Sequence, residues 1–118
     1  LFHDQVAVDD DFGGPVLDEH EGDRIARILG NRSVLLMGNH GVTIAAASVA
    51  VAFNQLYFFE RMCMYQVLAM STGRPVRRIP EEIVRRFATP IDDPMYQVAE
   101  HFQALKRLLD REEPDYKD

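Results

Sequence analysis

The chain has 118 residues, with 13 Lys and Arg against 19 Asp and Glu, for a formal net charge of −6. That length holds one domain, and an acidic balance without a basic block excludes the clustered positive face that nucleic-acid binding needs. A hydrophobic content of 47% with 27% charged residues excludes wholesale disorder, and a single cysteine, Cys63, excludes an internal disulfide framework.

Residues 1–16 read as irregular or extended chain. Val6, Ala7 and Val8 predict a short strand. Asp9, Asp10 and Asp11 read as a solvated acidic turn, because the alternating acids, sixth-position Gly and twelfth-position Glu of a calcium loop are missing. Gly13-Gly14-Pro15 marks a break. A helix is predicted over Asp18–Leu29, with Asp18 as N-cap, Glu21 three residues on, and Ile25, Ile28 and Leu29 on one face. Gly30 stops it.

Ser33–Met37 is the clearest strand. Its run Val34-Leu35-Leu36-Met37 predicts burial on both faces of a covered sheet, Leu36 included. Gly38-Asn39-His40-Gly41 forms a tight turn, and β-branched Val42, Thr43 and Ile44 resume extended chain. A long helix follows over residues 47–70, with Ser48 as N-cap and an apolar surface wider than one stripe. Asn54, Gln55, Glu60 and Arg61 interrupt its apolar stretches, so nothing here spans a membrane. Thr72-Gly73-Arg74-Pro75 ends this helix. Pro80 opens a short helix to Phe87, and Ala88-Thr89-Pro90 breaks it. Asp93-Pro94 opens a last helix to about Arg111, before a polar tail.

The sharpest local feature is the Gly38–Gly41 turn. Flanking glycines permit close approach by a ligand, and a neutral imidazole is a common zinc ligand. Taken alone, His40 is also compatible with a hydrogen-bonded structural residue. Glu60 falls on the apolar face of the long helix. It reads either as a pocket carboxylate or as a packing ion pair with Arg61 or Arg32. Cys63 reads as a small core residue, His3 and His20 as surface residues, and His101 as solvated or, alternatively, as approaching a neighbouring site.

Arg32 through Ala69, RSVLLMGNHGVTIAAASVAVAFNQLYFFERMCMYQVLA, resembles the class II aldolase/adducin family. The segment GGPVLDEHEGDRIARILGNR, Gly13 to Arg32, resembles the helix that precedes that strand. The resemblance implies an α/β fold, an α/β/α three-layer sandwich on a mainly antiparallel sheet. It further implies a divalent metal, usually zinc with manganese as an alternative, held by three histidines. His40 is the third ligand by this match, with Asn39, Gly41 and Glu60 as candidate pocket residues. The implied activity is carbon–carbon lyase chemistry on a small carbonyl or hydroxy substrate through a metal-stabilised enediolate, in a cytoplasmic homo-oligomer, commonly a tetramer. The alternatives are a metal-dependent decarboxylase on the same fold and a non-catalytic adducin-like self-association or cytoskeletal module.

The other two metal ligands of the family come from a His-x-His motif, which this chain lacks. Together with Leu1 in place of Met, and a family domain about twice this length, that identifies residues 1–118 as the C-terminal half of one domain. On this expectation the N-terminal half, which would carry the acid/base residue, is absent and the 118 residues alone are inactive.

Overall fold

The computed structural model describes residues 2–11, 19–88 and 98–117. The expected Gly13–Pro15 break, the Asp18 cap, the Thr89-Pro90 break and the Asp93-Pro94 helix start lie outside these residues. The chain divides into two compact units, Leu1–Ala46 with Ile79–Ala88, and Ala47–Arg78 with Thr89–Asp118.

The first unit is built on three strands, β1 (Val6–Asp9), β2 (Val34–Met37) and β3 (Gly41–Ile44), in the order β1-β2-β3. β1 and β2 run parallel, Val6 opposite Val34 and Asp9 opposite Met37. A parallel pair needs a crossover, and helix α1 (Glu19–Leu29) lies within it. β2 and β3 run antiparallel through the tight turn, Met37 opposite Gly41. One of the two pairings among the described residues is therefore parallel, so this part of the sheet is mixed. The physical reason is α1, which returns the chain to the start of the sheet before β2 begins.

α1 lays Ile25, Ile28 and Leu29 on the sheet face formed by Ala7, Leu35 and Met37. Alternation along the strands sends Val8 and Leu36 to the opposite face, where they are 56% and 39% exposed. The expected burial of Leu36 is thus overturned, although Val34 on the same face is fully buried: the second face is covered at only one end of β2, which an apolar run of four does not show. Short helix α3 (Glu81–Phe87) also belongs to this unit.

Asp9 continues the inward face past Ala7, and its carboxylate is out of water. It is met by Arg24 of α1, at 3.0 and 2.7 Å, in a bidentate pair. Arg24 is held in turn by Glu21 one helical turn earlier, through two bonds of 2.8 Å. The expected solvated reading of Asp9 is corrected. A carboxylate so placed is tolerated because a guanidinium is hydrogen-bonded to it. Arg24 holds the carboxyls of Asp9 and Glu21 below their usual range.

The second unit is helical. α2 (Val49–Ser71) starts at Ser48, whose side chain accepts the Val51 N–H. It ends at Gly73, left-handed at φ 69°, which donates its N–H to Met70. α2 packs on α4 (Val98–Glu112), with the Phe53 and Phe102 rings edge to face at 5.6 Å. A 3-10 turn, Pro114–Lys117, folds back so that Lys117 pairs with Asp110 at 2.7 Å. None of the described helices is long and apolar enough to cross a membrane.

Two predictions follow from the packing of the first unit. Leu35 is fully buried, so Leu35→Ala should cost about 3 kcal/mol in urea unfolding, whereas Leu36→Ala should cost about 1 kcal/mol or less. The second concerns pH. Carboxyls held low in the fold contribute stability above their ordinary range, and that stability is lost as pH falls through it. The urea midpoint should therefore be flat above about pH 5 and decline below it, and Arg24→Gln should flatten the decline.

Candidate functional site

The turn that joins β2 to β3 is set by its backbone. His40 donates its N–H to the Met37 carbonyl at 3.2 Å, closing a four-residue turn. Asn39, its third residue, is left-handed at φ 57°, a conformation that asparagine tolerates better than most residues. Gly38 donates its N–H to the carbonyl of Asp9 at 2.7 Å, so the end of β1 braces the turn. Asn39, His40 and Gly41 are all exposed. The imidazole is thus displayed at the edge of the sheet by a backbone tied on two sides. For Asn39 and Gly41, expected as pocket residues, the structure defines a backbone part: the left-handed corner and the first residue of β3.

The acidic run lies beside this turn. A Cβ on Gly38 would stand 3.5 Å from both the Asp10 Cα and the Asp9 carbonyl oxygen. Asp10 and Asp11 are exposed, while Asp9 points inward to Arg24. The Asp11 N–H donates to the Asp9 carboxylate at 3.2 Å, which turns the chain out of β1.

Glu60 sits in the second unit, exposed, with Arg61 at 3.9 Å, the loose ion-pair geometry of a surface pair. Cys63 is exposed, not a core residue. His3 stands 3.4 Å from both Asp4 and Glu81. His20 is exposed on α1.

His101, expected to be solvated, is half-buried against Tyr57, with ring centroids 4.9 Å apart. Its Nδ1–H donates to Oδ1 of fully buried Asn54 at 2.7 Å. An amide acceptor there selects the tautomer that carries its proton on Nδ1. The Asn54 Nδ2 and the Gln55 Oε1 are buried and unpartnered among the described residues.

One imidazole in a fixed turn fits a single position in a metal's ligand set. Among the described residues, no group of three or more His, Cys, Asp or Glu is arranged to hold a metal ion. A catalytic zinc site requires three protein ligands. The described residues therefore do not make a complete site.

Residues 1–67 match the family model described as Class II Aldolase and Adducin N-terminal domain. Over 110 residues the chain is 34% identical to a protein of Caulobacter vibrioides whose name places it with the class 2 aldolases, covering 92% of this chain and 43% of that protein. It is 33% identical over 84 residues to Decarboxylase NovR of Streptomyces niveus, covering 71% of this chain and 31% of that protein. A crystal structure of an aldolase II superfamily protein from Pseudomonas syringae superposes with a TM-score of 0.80 at 34% identity, over 98% of this chain and 46% of that one. The chain spans less than half the length of these relatives.

The expectation that residues 1–118 are the C-terminal half of the family's domain is overturned. The match to the family's N-terminal domain model covers residues 1–67, and the structural match runs over nearly the whole chain. The aldolase-II α/β sandwich is likewise not confined to a C-terminal part. The strand, Asn-His-Gly turn, β-branched strand and first part of α2 all lie inside the matched segment, and on that match the chain belongs to the class II aldolase and adducin family.

Proposed function

We propose that the protein acts in metal-dependent lyase chemistry of the class II aldolase type, making or breaking a carbon–carbon bond next to a carbonyl in a small carbonyl or hydroxy substrate. In this reading His40 supplies one ligand to a divalent metal, zinc first and manganese second. The observation that carries it is the turn. An imidazole is displayed at the sheet edge by two backbone hydrogen bonds and a left-handed Asn39, inside the segment that matches the family. The chemistry such a metal supplies is Lewis-acid polarisation of a substrate oxygen. The contribution of this chain's own residues is orientation, with Met37 and Asp9 fixing the turn and Gly41 starting β3 without a side chain beside the imidazole.

The name of the Streptomyces niveus relative favours a second reading, a metal-dependent decarboxylase on the same fold. Both reactions develop negative charge on carbon next to a carbonyl or carboxylate, so one electrophilic site serves either. Assembly as a cytoplasmic homo-oligomer, a tetramer in the first instance, is part of the same proposal. It is supported by α2, which exposes Val49, Tyr65, Val67, Leu68 and Met70 by 57–75% each.

The test uses the polypeptide at the length of its relatives. His40→Ala should lower bound divalent metal, measured by plasma mass spectrometry, from about one per chain to a small fraction of that. Retro-aldol and decarboxylase turnover should fall with it, while the unfolding midpoint stays near wild type because the ring is exposed. Normal metal content and turnover in the variant would overturn the assignment of His40. A wild-type protein without metal would favour an adducin-like binding module. Light scattering across a concentration series should show an oligomer, and a monomer throughout would contradict the assembly.

A further inference from the structure

We propose that the Asp9–Arg24–Glu21 cluster is the positioning device of the His40 turn, and that Asp9 and Arg24 are positioning residues of the functional site. The inference rests on the reading of His40 given above.

It starts from the way Asp9 is used twice. Its carbonyl accepts the Gly38 N–H at 2.7 Å, at the first residue of the turn. Its carboxylate takes both Arg24 donors, at 3.0 and 2.7 Å, and the Asp11 N–H at 3.2 Å. One residue therefore couples helix α1, the exit of β1 and the entry to the turn. β1 and β2 end in register, Asp9 opposite Met37, and Met37 accepts the His40 N–H. A shift of Asp9 along or about its strand would move the Gly38 anchor, and the imidazole two residues on with it.

Anchoring α1 to the sheet does not by itself call for an ion pair. The Asp9 side chain is only 3% exposed, on an inward face otherwise made of Ala7, Leu35 and Met37. An apolar pair of similar volume generally serves stability as well or better, since a buried ion pair must first offset its desolvation. The ionic arrangement adds direction. The planar guanidinium fork holds the carboxylate in one orientation, and two further bonds from Glu21 hold the fork. Asp9 is thereby fixed in rotation as well as in depth, and the turn depends on that rotation.

The experiment follows the isotope-labelled chain by NMR, reading amide hydrogen exchange at Gly38, His40 and Leu35 together with the His40 ring resonances. Three variants are compared: Arg24→Gln, the conservative Arg24→Lys, and the apolar pair Asp9→Leu with Arg24→Met. Arg27→Gln on the same helix is the control. In Arg24→Gln, exchange at Gly38 and His40 should accelerate about tenfold or more beyond any change at Leu35, which follows global stability, and the His40 ring signals should move. Arg24→Lys should recover part of this. The apolar pair should restore the urea midpoint but not the turn amides or the His40 ring. Arg27→Gln should change none of them, and the His101 signals should stay in place in all.

Wild-type turn exchange in the apolar pair would overturn the proposal, because the cluster would then be a packing anchor only. Unfolding of the apolar pair along with Arg24→Gln would also overturn it. These readouts need no metal, so their failure leaves the His40→Ala metal test standing. Failure of that test leaves the mechanics of the turn standing.

Discussion

The bidentate pair between Asp9 and Arg24 is the constraint on which the first unit is arranged. It lies where β1 ends, where α1 crosses the sheet and where the β2–β3 turn begins. Removing Arg24 would leave the Asp9 carboxylate in a place where water does not compensate it, which is the costly way to break an ion pair. The apolar contacts of Ile25, Ile28 and Leu29 hold α1 to the sheet without directional preference, and the bidentate ion pair adds direction.

The second unit is organised differently. α2 is strongly apolar, yet its buried positions are Asn54, Gln55 and Phe59. Asn54 spends its carbonyl on His101, across the α2–α4 contact, among the rings of Phe53, Tyr57 and Phe58. A polar pair inside an aromatic contact fixes which residues face each other, a role that Leu or Met would fill less specifically. Much of the apolar surface of α2 remains exposed, which is the physical basis for proposing assembly.

Much of the architecture was legible in the residues. The apolar run at Val34–Met37, the Gly-flanked turn, the β-branched Val42–Ile44 and the Ser48 cap each state a local preference, and the structure honours all four. What was not legible depends on neighbours. Leu36 reads as core because type alone does not show how far along a strand each face is covered: Val34 on the same face is buried and Leu36 is not. Asp9, Asp10 and Asp11 are the same residue three times, and only register opposite Met37 turns the first of them inward. Period-two alternation from Ala7 was the available signal for Asp9, and the word-like acidic run obscured it. The His101–Asn54 pair joins positions 47 residues apart and leaves no local pattern. The turn is legible because glycines flank an asparagine and a histidine. The share of the family's domain that this chain covers is not legible, because a missing His-x-His motif does not show which part of a domain is present.

We propose that the turn presents His40 to a metal. Anomalous diffraction at the zinc edge, on crystals of the polypeptide at the length of its relatives, tests it most directly. The expected result is a peak about 2.1 Å from a ring nitrogen of His40, with the Met37 and Asp9 carbonyls still holding the turn. A metal bound elsewhere, with His40 turned to solvent in an active enzyme, would contradict it.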